Sequence, residues 1–567
     1  MALLDQFNPG PFVSPILAAH LKHRAYAIIH FGLNTFTDRE WGYGDESPEL
    51  FNPTDFDADQ IVQACVDGGL SGLILVCKHH DGFCLWPTKT TTHNISAAPF
   101  RGGRGDLVRD FADACRRHGV AFGAYVSPWD RNHPAYGTAA YLQIYREQLR
   151  EICTGYGELF EVWFDGANGG DGYYGGARET RKIDQSTYYD WANTWKIVRE
   201  LQPLAAIFSD VGPDLRWVGN EKGLAAPEAS ALFTPVAAVP GKEPAPGFLD
   251  YSRSTIGDPD GAYCLPPECD VPLRPGWFYH ASQDGQVRSV QELVKIYLRS
   301  IGCGGFLNLG LAPDRRGRLH ANDVLRLKEF RQALRSISRD ERNRQALALQ
   351  CGVPQVIEYC NPLTVNAIEL QEASCPRQTE LIQEYLVEAQ TADGWVPLVS
   401  GKAVGLRRVK TFPTVTARRF RLTLRKIRQI PQPDAHCDFQ PMAIPAELLA
   451  EVPLSPLLPP GAVTLPLARD AAPTQTWELE QPLAIQGFLF VPGADRAASL
   501  PSHYRFEVQT GGQWRCAAEG EFSNIQANPL PQTVTFPPLK AEAVRFAATR
   551  LVDGGDRMNC DGFHLLT

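Results

Sequence analysis

The first 338 residues alternate between short buried strands and amphipathic helices, and this alternation constrains the fold more than any other feature. Repeated strand-then-helix units imply parallel strands joined by helical crossovers. Their length predicts a (β/α)8-like barrel. An open doubly wound sheet is the alternative, but no Gly-rich nucleotide-binding motif follows the first strand. The predicted strands cover 24–31, 73–77, 121–126, 161–165, 205–209 and 305–309, and the predicted helices 57–69, 106–118, 139–153, 188–201, 287–301 and 322–337.

The pattern changes near residue 340, where long helices stop and short strands with Pro- and Gly-containing turns begin. Two similar blocks follow. Each has a strand, a Gly-x-Trp type of turn that ends at Trp395 or Trp514, and a strand containing an Arg-Phe pair. This pattern predicts two β-sandwiches of similar type. We therefore expect a barrel over 1–338, one sandwich over 339–452 and a second over 453–567, with the Pro-rich stretch 453–466 as the linker.

Composition excludes several classes of function. The 567 residues carry 55 Lys and Arg against 64 Asp and Glu, a net charge of −9, with no basic stripe, so nucleic acid is not an expected partner. No apolar run approaches the roughly 20 residues of a membrane span. The N-terminus lacks the features of a signal peptide, which predicts a cytoplasmic protein, or a secreted or periplasmic one whose signal has been removed. The sequence leaves the oligomeric state open.

The 14 cysteines are scattered, and several lie in apolar, strand-like runs. This distribution predicts buried free thiols rather than a disulfide framework. Cys264 and Cys269 are close enough in sequence to pair. No Cys/His spacing typical of structural zinc occurs.

Polar and aromatic side chains cluster just after the predicted strands. Nine of 13 His and eight of 11 Trp lie before residue 281. The C-terminal ends of barrel strands form the active face of such folds, so we expect these groups to converge. In chain order they are His30, Lys78-His79-His80-Asp81, Trp129-Asp130, Asp165, Asp210, Arg216 to Glu221, and Trp277 to His280.

Two chemistries compete for this face. His79, His80 and Asp81, with His30 and His133, could ligate the metal of a metal-dependent hydrolase, although the first strand has no His-x-His pair. Alternatively, aromatic faces pack against sugar rings, polar groups bind the hydroxyls, and two carboxyl groups cleave the glycosidic bond. The excess of Trp favours the sugar site.

Asp165 and Glu221 are the expected carboxyl pair. Asp165 ends a buried strand beside Gly166, which leaves room for a sugar, although an Asp before Gly often only caps a turn. Glu221 lies in the loop after the next predicted strand. Acids at the ends of neighbouring strands, about 4.8 Å apart, fit the ~5–5.5 Å separation of a retaining pair. Spacing alone leaves three alternatives for the second acid, namely Glu228, Glu268 and Asp210.

A set of motifs that recurs in order resembles the α-L-fucosidases of glycoside hydrolase family 29, over about residues 1–338. The resemblance implies a retaining exo-fucosidase that forms a covalent fucosyl-enzyme and needs no metal or cofactor. Its partner would be a fucosylated oligosaccharide. The motifs are His30-Phe-Gly, Glu40-Trp41-Gly, Lys78-His-His-Asp-Gly-Phe83, Tyr125-x-Ser-Pro-Trp-Asp-Arg-Asn132, Trp163-Phe-Asp-Gly166 and Arg216-Trp-Val-Gly-Asn-Glu221.

The resemblance also implies residue roles. Asp165 matches the nucleophile, and Glu221 matches the acid/base of the subgroup that prefers α-1,3 and α-1,4 linkages on Lewis-type glycans. Trp277 would lie near the C6 methyl group, Trp129 toward the rest of the glycan, and Arg216 against the pocket. The residues that match the pocket for the fucose hydroxyls are His30, Glu40, Trp41, His79, His80 and Tyr125.

Some stretches depart from the family pattern. Residues 169–185 resemble an insertion after the strand of the expected nucleophile, and the loop 223–263 is long and Pro-rich. Both could reshape the side where the leaving group binds, so the linkage preference stays open. The two sandwiches resemble discoidin-like or carbohydrate-binding domains, with or without sugar binding. The alternative functions are a catalytically silent glycan-binding protein on the same scaffold and the metal-dependent hydrolase.

Overall fold

The computed structural model describes residues 2–337, 339–373, 380–428, 434–451, 458, 461–493, 499–552 and 554–567. Eight parallel strands close into a barrel in chain order, with β1 paired to both β2 and β8. The predicted barrel is therefore confirmed. Its strands are β1 Ala25–Ile29, β2 Gly72–Lys78, β3 Ala121–Val126, β4 Glu161–Trp163, β5 Ala206–Ser209, β6 Leu215–Trp217, β7 Pro267–Pro272 and β8 Phe306–Leu311.

Amphipathic helices cover the outside of the barrel. Asp57 caps the first of them by accepting a hydrogen bond from Gln60 N at 2.9 Å, as its position in the sequence predicts. In the described part of the chain, no helix is long and apolar enough to cross a membrane. The barrel helices are Ala58–Gly68, Leu107–His118, Ala139–Gly155, Trp191–Leu201, Val290–Arg299 and Ala321–Ser336, and the shorter helices are Pro15–His20, Leu33–Thr37 and Ala446–Leu449.

Two barrel strands, β6 and β7, lie in a stretch that the sequence predicts to be an irregular loop. That prediction was wrong for a physical reason. β6 has only three residues, and β7 begins and ends with Pro, a residue that weakens the signal of a strand. β7 also carries Glu268 and Asp270, two residues apart and therefore on one face, and both are buried. Buried carboxyl groups hide the apolar pattern from which a strand is recognised.

The chain after the barrel forms two antiparallel sheets with the same strand order, each around its own apolar core. We call them the first and second sandwich. In each, two long strands pair across irregularities in register at matching places. In spatial order the first contains Gln345–Ala348, His436–Met442, Pro354–Ala373, Arg408–Ile427, Ile382–Thr391 and Gly394–Gly401, and the second contains Val463–Leu465, Met558–Leu566, Thr474–Pro492, Gln532–Leu551, Pro501–Thr510 and Gln513–Glu521.

The Trp residue of each repeated turn packs against an Arg side chain in the same way in both sandwiches. The Arg421 guanidinium lies 4.5 Å from the ring centre of Trp395, and that of Arg545 lies 4.6 Å from the ring centre of Trp514. These cation–π contacts fix the turn onto the neighbouring strand. The predicted boundary residues 338, 452 and 453, and most of the linker's Pro-rich part, lie outside the described residues, so the domain limits stay predictions.

The sandwiches contact opposite ends of the barrel. At the lower end, where the strands begin, Arg24 donates a hydrogen bond to the carbonyl of Leu406 in the first sandwich. At the upper end, where the strands finish, Asn528 of the second sandwich donates to the carbonyl of Pro275, which lies shortly after β7. The second sandwich therefore borders the face on which a barrel carries its active site.

Candidate active site

Asp165 lies directly after β4 at the upper end of the barrel. The Tyr125 hydroxyl, from β3, donates to Asp165 Oδ2 at 2.9 Å, and the Ala167 N–H donates to Oδ1 at 2.6 Å. His80 Nε2 lies 3.7 Å from Oδ2. The carboxyl group is thus oriented by two donors, while 22% of the side chain stays exposed.

Burial raises the pKa of Asp165 to about 7. The hydrogen bonds from Ala167 and Tyr125 act in the opposite direction, and the nearby carboxyl groups of Asp210 and Glu221 raise the pKa further. A carboxyl group with a perturbed pKa at the mouth of a barrel is typical of a functional site. Asp165 therefore changes charge near neutral pH, within reach of a second carboxyl group.

Glu221 lies in the loop after β6. Its Oε2 accepts hydrogen bonds from Trp277 Nε1 and from Asn524 Nδ2, both at 2.8 Å. Burial raises the pKa of Glu221, against the effect of these two donors. β5, followed by Asp210, stands between β4 and β6 in the barrel. The expectation that the two acids follow neighbouring strands was therefore wrong.

Three histidine rings line the mouth side by side. The ring centres of His30 and His79 are 5.7 Å apart, and those of His79 and His80 are 4.2 Å apart. Burial lowers the pKa of each ring, to about 3 for His30 and His80 and well below the usual range for His79. His80 Nδ1 lies 2.8 Å from Ser127 Oγ. Neutral imidazoles offer one donor and one acceptor each, which suits hydroxyl groups.

Glu40 is held by protein groups on both carboxylate oxygens. Its Oε1 pairs with His280 Nε2 at 2.8 Å and with Ser523 Oγ at 2.7 Å, and its Oε2 accepts from Trp277 N at 2.9 Å. Burial lowers the pKa of His280, but its bonds to Asp38 and Glu40 outweigh burial and raise the pKa to about 10. Glu40 and His280 thus form an ion pair that fixes the loop carrying Trp277.

Two indoles stand at the rim of the site. Trp41 is 45% exposed and meets the rings of His80 and Trp129 edge-on, with ring centres 5.3 and 5.7 Å away. Trp129 is only 3% exposed and donates its N–H to Tyr174 Oη at 3.0 Å. The open indole surface at this rim is therefore that of Trp41, with Trp129 behind it.

Two residues that the sequence placed near the site lie elsewhere. Arg216 is fully buried and donates to the carbonyls of Ser254 and Ser230, at 3.1 and 2.9 Å. It therefore supports the loop after β6 rather than the pocket. Glu228 accepts from Lys402 N at 2.8 Å, so it belongs to the contact with the first sandwich.

The other two alternatives for the second acid are also bound in structural networks. Glu268 is fully buried and accepts from Trp163 Nε1 and Asn308 Nδ2, both at 2.8 Å. Asp210 accepts from the Tyr251 hydroxyl at 2.5 Å. Glu221 differs from both because it is part-exposed and takes one donor from the barrel and the other from the second sandwich.

Gly166 accommodates a protein group rather than the sugar for which the sequence suggested it makes room. A Cβ atom at this position would lie 2.1 Å from Asp210 Oδ2. The same Oδ2 accepts from Gly247 N at 2.8 Å. The absence of a side chain at Gly166 therefore lets β5 and the following loop approach the strand end that carries Asp165.

The residues of the alternative metal site are not arranged as a set of metal ligands in the described part of the chain. Asp81 Oδ1 accepts from Phe83 N at 2.8 Å, and the Nδ1 atom of His80 faces Ser127. Within the described ranges, no group of three or more His, Cys, Asp or Glu side chains is arranged to hold a metal ion. The thirteen cysteines in those ranges, Cys264 and Cys269 included, are free thiols.

The second sandwich supplies site residues that sequence reasoning missed. Ser523 and Asn524 bond to Glu40 and Glu221, and the Glu521 carboxylate accepts the backbone N–H of Glu40. The only signal in the sequence is the resemblance of the second sandwich as a whole to discoidin-like or carbohydrate-binding domains. No spacing along the chain connects this loop with a barrel residue some 300 to 480 positions earlier.

A barrel that presents two part-buried carboxyl groups among neutral imidazoles and an open indole defines a glycoside hydrolase. The family model described as alpha-L-fucosidase matches residues 17–230. Alpha-L-fucosidase 1 of Arabidopsis thaliana is 37% identical over 439 residues, which cover 71% of this chain and 82% of that protein. The chain belongs to the α-L-fucosidase family, and its activity is that of an α-L-fucosidase.

Solved structures extend the likeness to the sandwiches. A glycoside hydrolase 29 family member from an unknown rumen bacterium is 34% identical with a TM-score of 0.72, and the match covers 98% of this chain and 99% of that one. A Ruminococcus gnavus GH29 fucosidase in complex with fucose shares the fold at 23% identity and a TM-score of 0.64, over 79% of this chain and 97% of that one.

Proposed function

We propose that the enzyme is a retaining exo-α-L-fucosidase in which Asp165 is the nucleophile and Glu221 the acid/base. Asp165 attacks the anomeric carbon while Glu221 gives its proton to the departing oxygen, and the bond to the leaving group breaks. Glu221 then takes a proton from water, whose oxygen bonds to the anomeric carbon as the bond to Asp165 breaks. The observation that carries this proposal is the orientation of the part-exposed Asp165 carboxylate by Tyr125 and Ala167.

The mechanism needs Asp165 ionised and Glu221 protonated at the start. Burial raises the pKa of both carboxyl groups, and the two hydrogen-bond donors at each act against it, so the division of roles rests on the sequence motifs that carry Asp165 and Glu221. The hydrogen bonds from Trp277 and Asn524 hold the Glu221 carboxyl group in one orientation for proton transfer.

The pocket proposed for fucose uses the histidine rings and Trp277. The neutral nitrogens of His30, His79 and His80 would bind the hydroxyls, and the Trp277 ring, 5.1 Å from that of His30, would pack against the C6 methyl group. Tyr125 and Trp41 would complete the contact. Glu40 supports this pocket through its bond to the backbone of Trp277.

Two variants test the roles of the acids with an aryl α-L-fucoside as substrate. Asp165→Ala is expected to lose at least 1000-fold in kcat, and added azide should give β-L-fucosyl azide, since azide replaces the nucleophile directly. Glu221→Ala should give the α-anomer, because azide then attacks the fucosyl-enzyme. First-formed β-L-fucose from the wild-type enzyme, followed by NMR, would show inversion and contradict the mechanism.

We further propose Lewis-type glycans with α-1,3 or α-1,4 fucose as substrates, supported by the position of Glu221 in its motif. Trisaccharides that differ only in linkage test this preference. The kcat/KM values for α-1,3 and α-1,4 fucose should exceed that for α-1,2 by at least tenfold. Equal values would refute the linkage preference alone. Full activity is expected in the presence of a chelator, and a loss that divalent metal restores would contradict a cofactor-free mechanism.

A further inference from the structure

A segment of the second sandwich, residues 521–528, enters the mouth of the barrel. Ser523 and Asn524 bond to Glu40 and Glu221 from this segment, and Asn528 bonds to the loop after β7. A separate bond from Gln286 Nε2 to Thr533 Oγ1, at 2.8 Å, fixes the sandwich on the barrel. This domain is thus attached to the active site at several points.

Beside this segment lies an open cleft of about 860 Å³ between the barrel and the second sandwich. Its barrel walls are residues 37–43 and 45, Arg131, and the hairpin insertion after β4, which contributes Asp171 and Arg178. Its sandwich walls are residues 502–505, 519–522, 524–526, 549, 550 and 552. Trp41 and Asn524 both line it, so the cleft continues from the fucose pocket. The volume is in the range of small-molecule sites.

We propose that this cleft binds the leaving group of the reaction, an uncharged branched oligosaccharide. This inference rests on the roles proposed above for Asp165 and Glu221. The acid must reach the oxygen that departs, so the leaving group lies on the same side as Glu221. Asn524 contacts Glu221 and lines the cleft, which places the cleft where the departing sugar residues continue.

The chemistry of the walls suits neutral sugars. Trp41 presents an exposed indole for stacking on a sugar ring. The side chain of Arg178 is 57% exposed and its guanidinium pairs with Asp45 at 2.9 Å, and the side chain of Arg550 is 61% exposed with its guanidinium 3.8 Å from Asp171. Such groups donate hydrogen bonds to hydroxyls. The lining has five arginines against six carboxylates, so the cleft offers little net attraction to an anionic glycan.

The double variant Arg178→Ala/Arg550→Ala tests the proposal, because both side chains lie in the cleft walls and neither bonds to Asp165 or Glu221. The kcat/KM is measured for an aryl α-L-fucoside and for a neutral Lewis-type tetrasaccharide. The value for the tetrasaccharide is expected to fall at least tenfold more than that for the aryl fucoside, mainly through KM. Arg425→Ala, an exposed arginine of the first sandwich, is the matched control.

Binding of the defucosylated oligosaccharide gives a second readout that needs no turnover. Saturation-transfer NMR should detect it on the wild-type protein and lose most of the signal on the double variant. Equal losses for both substrates, or no loss, would overturn the cleft proposal. A higher kcat/KM for a sialylated tetrasaccharide would overturn its preference for uncharged glycans. Failure of the wild-type enzyme to cleave the aryl fucoside would instead refute the proposed function.

Discussion

Replacing Asp165 with asparagine is expected to stabilise the barrel at pH 8 while it removes the proposed nucleophile. The pKa of this carboxyl group is about 7 in the folded protein, against an ordinary value of about 3.9 in an unfolded chain. The folded state therefore binds the proton more tightly, so the free energy of unfolding falls as pH rises from about 4 to about 7. Asparagine does not titrate and escapes this loss.

The size of the effect follows from the pKa difference. Three pKa units at about 1.36 kcal/mol each amount to about 4 kcal/mol above pH 7. Asparagine keeps one acceptor oxygen for the two donors, Tyr125 and Ala167, and the lost bond costs about 1 kcal/mol. The variant should thus be about 3 kcal/mol more stable than wild type at pH 8, and about 1 kcal/mol less stable at pH 4.

Guanidinium unfolding followed by Trp fluorescence measures this difference, since eight of the eleven Trp lie before residue 281. The barrel transition is analysed separately from those of the sandwiches because a multidomain chain need not unfold in one step. Glu158→Gln removes the same charge from an exposed loop residue before β4 and should leave stability unchanged at both pH values. A stability difference at Asp165→Asn that does not change with pH would refute the reasoning.

Three further substitutions give distinct signatures. Tyr125→Phe removes a donor that lowers the pKa of Asp165, the proposed nucleophile, so the acid limb of the kcat/KM profile should move to higher pH. An unmoved limb would contradict this. Asn524→Ala removes a donor that lowers the pKa of Glu221, the proposed acid/base, so the alkaline limb should move to higher pH. A merely structural role would lower activity equally at all pH values. Gly166→Ala should displace the Asp210 carboxylate, cost about 1–3 kcal/mol of stability and lower kcat/KM more than tenfold; wild-type values in thermal melting and kinetics would contradict the steric argument.

The parts of the barrel with a clear apolar period could be predicted from the sequence. β3 and the helix capped by Asp57 lie where the pattern places them. β6 and β7 could not be recognised because one is very short and the other carries buried acids between its prolines. The acid Glu268 of β7 can be buried only inside the closed barrel, where Trp163 and Asn308 donate hydrogen bonds to it. Such tertiary partners leave no local signal.

The candidate site also combines residues with a local sequence signal and residues whose surroundings depend on distant partners. Asp165, at the end of a predicted strand, could be selected from local sequence. The surroundings of Glu221 could not, since its donors Trp277 and Asn524 follow it by 56 and 303 positions. Arg216 was expected to contact the pocket because it belongs to the same motif as Glu221. Its guanidinium instead donates hydrogen bonds to backbone carbonyls of the loop after β6. Hydrogen bonds between residues far apart in the chain determine the surroundings of Glu221 and Arg216, and a single sequence does not show which residues form them.

The bond between Glu40 and Ser523 joins residues 483 positions apart, and this has a consequence for the timing of activity. A ribosome adds about 5–20 residues per second, so roughly 25 to 100 s pass between the synthesis of the two partners. In the later part of that interval, after the last barrel helix has been made, the nascent barrel carries both carboxyl groups without the contacts of residues 521–524. The proposed catalytic centre gains these contacts only when the second sandwich has folded, so full activity is expected only after that domain has been synthesised.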